Sequence, residues 1–171
     1  MQIRVSRRSN PVVVDSIHLA YYILAKLGGM THLKLQKLIY YVESYHLAYF
    51  DQSIIEDNFQ AWVHGPVTTK VWVLIKDKAN VYDGISLKPE AKPKAIKTIK
   101  DKLTEDQYSL VSDILQEFGK KNDYHLECLT HEEKPWIEAR RGIPSDQPSK
   151  NVISKKTMTR YYKDKLYTVR G

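Results

Sequence analysis

The chain has 171 residues, 27 Lys and Arg against 20 Asp and Glu for a net charge of +7, a single cysteine and 42% hydrophobic residues. That length suits one domain with a real core, and one cysteine excludes an intrachain disulfide framework and any four-thiolate metal site. No run approaches the roughly 18 apolar residues of a membrane helix, and the basic start MQIRVSRRSNP leads into only three valines, too few for a signal peptide. A soluble, cytoplasmic protein is expected.

Val13, Ile17, Ala20, Leu24 and Leu27 recur at helical spacing and Gly28-Gly29 stops them, which predicts a first helix over 13–27. Thr31 reads as the cap of a second helix to about Tyr49, with Leu35, Leu38, Ile39, Val42 and Tyr49 on its apolar stripe and Lys34, Lys37 and Ser44 facing elsewhere. Phe59, Ala61 and Val63 alternate with Gln60, Trp62 and His64 as in a short extended segment, and Gly65-Pro66 breaks the chain. A third helix is expected from Thr68 to about Lys78, its buried side Val71, Leu74 and Ile75. Asn80 to Lys94, with Gly84, Pro89 and Pro93, reads as a long mobile connection, extended in part around 81–88.

Thr104-Glu105-Asp106-Gln107 matches a capping box, opening a helix that buries Tyr108, Val111, Leu115 and Phe118 and closes at Gly119. Two short helices follow, near 124–129 and 135–141, the second opened by a proline in its first turn. Gly142 to Asn151 is a loop, and Ser154 caps a last helix to about Leu166. The expected fold is mostly α: a compact single-domain bundle of six to seven helices over 13–166, with a basic extension at 1–12 and a tail at 167–171.

The positive charge is unevenly placed. Lys150 to Gly171 holds seven basic residues and one acid, Lys88 to Lys102 six lysines and two acids, and the start adds Arg4, Arg7 and Arg8. Such clusters suit nucleic acid or an acidic protein surface, or simply a solvated lysine-rich face.

Catalytic signatures are missing: the chain has no GxxxxGK, GxGxxG or GxSxG. His131-Glu132 begins like a zinc-protease helix, but Pro135 stands where the second histidine belongs. His125, Cys128 and Glu132 share one helical face as a conceivable metal triad, against the plainer reading of a buried thiol beside a hydrogen-bonded histidine.

Three aromatic-rich stretches remain: Leu35–Tyr41 (LQKLIYY), Ala61–Val67 (AWVHGPV) and Leu129–Trp136 (LTHEEKPW). Each has a sound architectural reading, with Leu38 and Ile39 as core, Gly65-Pro66 as a sharp turn, and Trp62 and Trp136 as large buried rings whose N–H groups need partners. His64 and His131 then supply hydrogen bonds that hold turns in place.

In this order the three stretches resemble the SocA-like, or Panacea, antitoxin domain, over about 13–162; His64 departs from the residue usual at its position. The resemblance implies a non-enzymatic protein without a cofactor. Its partner would be a cognate toxin encoded by a neighbouring gene and neutralised by direct contact, with delivery to the ClpXP protease as a further role. Neither a membrane nor nucleic acid is an expected partner, although a nucleic-acid-binding regulator using the basic C-terminal region is the alternative reading. Leu35, Lys37, Leu38, Tyr40, Tyr41, Trp62, Gly65, Pro66, Val67, His131, Pro135 and Trp136 read mainly as structural. Adjacent tyrosines on a helix point about 100° apart, so one of each pair Tyr40-Tyr41 and Tyr161-Tyr162 is expected at the surface. Tyr41, His64, Arg160, Tyr161 and Tyr162 are therefore the candidates for contacting a partner.

Overall fold

The computed structural model describes residues 10–77 and 82–170, with the backbone alone for 167–170. Arg4, Arg7 and Arg8 of the basic start, the expected end of the third helix at Lys78, and the first residues of the 80–94 connection lie outside the described residues.

Helix α1 (Ser16–Leu27) begins where the Asp15 carboxylate accepts the Ile17 N–H at 2.8 Å, and ends at Gly28 with φ +86°. A side-chain acceptor at the start and a left-handed glycine at the end satisfy backbone groups that the helix itself leaves unpaired. The helix starts three residues later than the hydrophobic spacing predicts, because Val14 makes a bridge with Ile55 instead. The buried face is Leu19, Ala20, Tyr22, Ile23 and Leu24, while Val13 and Leu27 of the expected stripe are exposed. A two-residue strand β1 (Met30–Thr31) pairs antiparallel with β4 (Gly84–Ile85). Thr31 then caps α2 (His32–Phe50), its hydroxyl accepting the Lys34 N–H at 3.1 Å.

Helix α2 is the axis of the fold. It packs against α1, α5 (Glu105–Phe118), α6 (Asp123–Glu132), α8 (Lys155–Arg170) and strand β3 (Gly65–Thr68). A helix enclosed on every side has no solvent face, so the amphipathic reading fails here. Lys37 and Ser44, expected to face outward, are fully buried. Tyr40 and Tyr41 are both fully buried as well, so neither is at the surface. Tyr41 stacks on Phe118 at 4.2 Å between ring centres, and Tyr40 meets Phe59 edge to face at 5.3 Å. Both arrangements suit the ring quadrupoles.

The polar groups of α2 staple irregular chain to the core. Glu43 accepts the N–H groups of Ile54 and Ile55 at 2.8 and 3.2 Å and pairs with Lys155 of α8 at 2.9 Å. His46 meets the Gln52 carbonyl at 2.7 Å and the Gln107 side chain at 2.9 Å. Gln107 completes the capping box of α5 and also ties down Val12 through both its N–H and its carbonyl.

Strands β2 (Phe59–Trp62) and β3 form an antiparallel hairpin in which Trp62 faces Gly65. Gly65-Pro66 thus opens a strand rather than interrupting the chain. The far edge of β2 is bonded by the segment before α8: Ala61 N–H donates to the Asn151 carbonyl and Ile153 N–H to that of Phe59, each at 2.8 Å. Helix α3 (Thr69–Ile75) follows directly on β3.

The connection after β4 is more ordered than its prolines suggest. A short 3-10 turn (Pro89–Ala91) leads into α4 (Lys92–Lys102), a helix the sequence reading misses. Pro93 lies in its first turn, where a missing N–H costs nothing, so it starts a helix instead of barring one. Only Ala95 and Ile99 of α4 are buried, too narrow a stripe to stand out in so lysine-rich a stretch.

Helix α7 (Lys134–Ala139) follows α6 across Glu133, which is held extended at φ −95°, ψ 135°. Helix α8 packs on α2 and α7 and runs past the expected end at Leu166. Among the described residues the chain is a single compact domain of eight α-helices with two small two-stranded sheets.

Candidate functional site

The three motif stretches converge on the hairpin. Lys37 of α2 donates from Nζ to the Pro66 carbonyl at 3.0 Å, and Gln36, one residue earlier, binds Thr68 N–H at 2.9 Å through its Oε1. Gly65 holds φ +96°, and a methyl there would lie 2.5 Å from Lys37 Cε and 2.7 Å from Thr130 Oγ1. Only a residue without a β-carbon meets both demands. Trp136 donates from its indole to the Trp62 carbonyl at 3.0 Å, and His131 stacks on Trp136 at 4.1 Å while bonding the Val63 backbone. His64, at the turn, pairs with Glu127 of α6 at 2.9 Å and lies beside Tyr82.

Burial pulls the Lys37 ammonium down to about 7, with Glu127 opposing in part. The folded protein therefore releases a proton that the unfolded chain keeps until about pH 10.5. Stability should rise with pH from about 7 to 10, because in that range the unfolded chain binds the extra proton; below it both states do. Buried Tyr22, Tyr40, Tyr41 and Tyr162 act in the opposite sense only above pH 10, since burial raises their hydroxyls. Lys37→Met is expected to flatten the rise between pH 7 and 9.5 in urea-unfolding midpoints. An equally steep rise in the variant would assign it to another group.

Two residues unmarked by the sequence reading complete the scaffold. Arg140 is buried and donates to four carbonyls, those of Ala61 (2.8 Å), Pro144 (2.9 Å), Ser145 (3.3 Å) and Gln147 (2.6 Å), with its guanidinium 5.0 Å from the Trp136 ring centre. It fastens the 142–148 loop to the hairpin. Glu133 accepts hydrogen bonds from the hydroxyls of Tyr41 and Tyr162 and from Lys165 at 3.0 Å. Burial raises its carboxyl above the ordinary value, and these three donors work against that. A partner-contact role for Tyr41 and Tyr162 is corrected by this geometry: both are buried about one carboxylate. The motif LTHEEKPW contained the signal, for Pro135 in the first turn of α7 marks a new helix and leaves Glu133 extended between α6 and α7.

Beside the hairpin lies a groove of about 290 Å³. The rings of His32, Trp62 and Trp72 line it together with Leu33, Val63 and Val67. His64 and the Pro148–Lys150 segment form its rim. His32 stacks on Trp72 at 5.0 Å, and Trp62 meets Trp72 edge-on at 5.1 Å. His64 is the one partner-contact candidate in the groove, where the motif residues Trp62 and Val67 also lie. Arg160 and Tyr161 lie on α8, exposed and half-buried respectively, and do not line it.

The tautomer of His32 follows from its neighbours. Gln36 uses its oxygen for Thr68 N–H, so its Nε2 amide faces His32 Nε2 at 3.0 Å, and that ring nitrogen accepts. The ring proton is then on Nδ1, which is buried and has no acceptor among the described residues. Burial holds His32 down to about 4, in keeping with a neutral ring. A buried donor without a partner costs about 1–3 kcal/mol.

The basic C-terminal helix is partly self-neutralised. Lys155 pairs with Glu43, Lys163 with Asp51 and Lys165 with Glu133. Those cations anchor α8 and are engaged before any phosphate could meet them. Among the described residues no three His, Cys, Asp or Glu side chains gather as a metal site, and no helix is long and apolar enough to cross a membrane.

Comparison with protein families finds a match to the family described as antitoxin SocA-like, Panacea domain, over residues 35–137, more than half of the chain. No curated protein and no solved structure matches. The matched span runs from α2 into α7 and contains the hairpin with Lys37, Thr130 and Trp136, whereas His32, Leu33, Arg140, Pro148–Lys150 and α8 lie outside it.

Proposed function

The chain belongs to the SocA-like Panacea antitoxin-domain family, and we propose that it neutralises a cognate toxin by direct protein–protein contact, as a binding protein and not an enzyme. The family match carries this reading. The geometry supports it in a specific way: the matched span is a rigid scaffold built on α2, and it presents an aromatic-lined groove edged by a segment outside that span.

A stable complex buries roughly 1,200–2,000 Å² and draws its energy from a few desolvated anchors. The groove offers one such anchor, and exposed Val73, Tyr82 and Tyr124 add apolar surface on elements beside it. Co-expression with the product of the neighbouring reading frame should restore growth, and the two proteins should co-purify. A frame whose toxicity this chain leaves unchanged would remove the reading. Delivery of the toxin to ClpXP belongs to the same proposal and has its own measurement, a shorter toxin half-life when both this chain and the protease are present. The nucleic-acid alternative loses force because three cations of α8 are engaged with acids of the body.

A further inference from the structure

We propose that the groove between the start of α2, the hairpin turn and Pro148–Lys150 seats a segment of the toxin that inserts one bulky apolar side chain and sets a carboxylate beside it. The proposal rests on the antitoxin reading and names the chemistry that reading leaves open.

The walls decide the first half. Leu33, Val63, Val67 and the two tryptophan rings present carbon to a cavity of about 290 Å³. Ligand sites begin at roughly 300 Å³, so this one is small for a free metabolite. It has room for one large side chain with its adjoining backbone. Water in such a cavity would find few partners, so an apolar occupant gains from displacing it.

The charges decide the second half. The His32 ring forms part of the wall, but its Nδ1–H is sealed from solvent and is not offered to an occupant. Lys150 stands exposed at the rim, and among the described residues no ion pair or hydrogen bond engages its ammonium. The other groups nearby are already satisfied: His64 is bonded to Glu127, Lys37 donates to the Pro66 carbonyl, and Gln36 is engaged with Thr68. The surplus at the groove is thus one cation, which a carboxylate complements. A second copy of this chain, at +7, suits that surplus poorly.

The test uses the full chain and the purified toxin. Lys150→Glu reverses the rim charge at an exposed position where folding is not at stake, and Val63→Trp fills the groove from a half-buried one. Each should weaken toxin binding at least tenfold in calorimetry and abolish growth rescue. Lys156→Glu, an equal charge reversal at an exposed position of α8, should bind like the wild type. Wild-type rescue together with groove variants that bind within twofold of it would overturn the proposal while leaving the antitoxin reading in place. Failure of the wild type to bind or rescue would overturn both. A homodimer in gel filtration that Val63→Trp disperses would make a second copy the occupant, and the proposal would fall. Should Val63→Trp misfold by circular dichroism, Lys150→Glu decides alone.

Discussion

Gly65→Ala is expected to destabilise the protein by about 2–6 kcal/mol. A residue with a β-carbon held at φ +96° bears a conformational penalty of about 1–3 kcal/mol. The added methyl would also lie 2.5 Å from Lys37 Cε and 2.7 Å from Thr130 Oγ1. Overpacking of this kind costs about 1–3 kcal/mol more. Long lysine side chains usually swing away from such a contact. Lys37 is fully buried with its ammonium on the Pro66 carbonyl, so it has nowhere to go. Since small domains are stable by only about 5–15 kcal/mol, much of the folded population is at risk. Urea unfolding measures the loss. A double-mutant cycle with Lys37→Ala separates its parts, because removing Cε should recover the steric share due to Lys37 and leave the conformational one with the Thr130 contact. A loss below about 1 kcal/mol would mean that the hairpin shifts to accept the methyl.

The second large effect is acid destabilisation between about pH 6.5 and pH 4. His32 and His46 are both buried, and burial lowers each to about 4. Each also has a glutamine amide donating to Nε2, from Gln36 in one case and Gln107 in the other. Protonation would set an N–H against an N–H inside the core. In this window the unfolded chain binds protons that the folded chain refuses, so stability falls as the pH drops. Each ring should contribute on the order of 3 kcal/mol by pH 4. Glu133 opposes them, since its raised carboxyl favours protonation of the folded state as the pH falls toward its unfolded value. Urea midpoints taken from pH 7 to 4 should decline, and NMR titration should show both rings still neutral near pH 5. Imidazoles that protonate near pH 6.5 in the folded protein would refute the expectation.

These two effects depend on features that differed in how visible they were. Gly65 was marked by its place in AWVHGPV, although its function there was misread. A glycine beside a proline normally signals a break, whereas here the positive φ starts a strand and clears space for Lys37. His32 and His46 carried no sequence signal at all. A histidine on a helix is ordinarily exposed, and only the glutamines contributed by α2 itself and by α5 make these two acceptors. Glu133 and Arg140 were hidden for the same reason, because a charged residue in a linear pattern reads as solvated until its partners are located.

Local decisions were legible in the chain. The caps at Thr31 and Thr104, the stop at Gly28 and the alternation from Phe59 to His64 are short-range effects, acting within one or two turns of backbone; the caps and the stop lie at those residues, and the strand ends two residues early at Trp62. The order of the three motifs also pointed to the family. Which face of each element lies inside came from packing in three dimensions. Because α2 is enclosed by four helices and a strand, its lysine, glutamate and histidines are internal staples, and Tyr41 and Tyr162 leave the surface to meet Glu133. The groove is likewise a product of distant segments, the start of α2, the hairpin turn, α3 and Pro148–Lys150, which no periodicity connects. Local propensity depends on neighbours in the chain, whereas burial and charge pairing depend on neighbours in space.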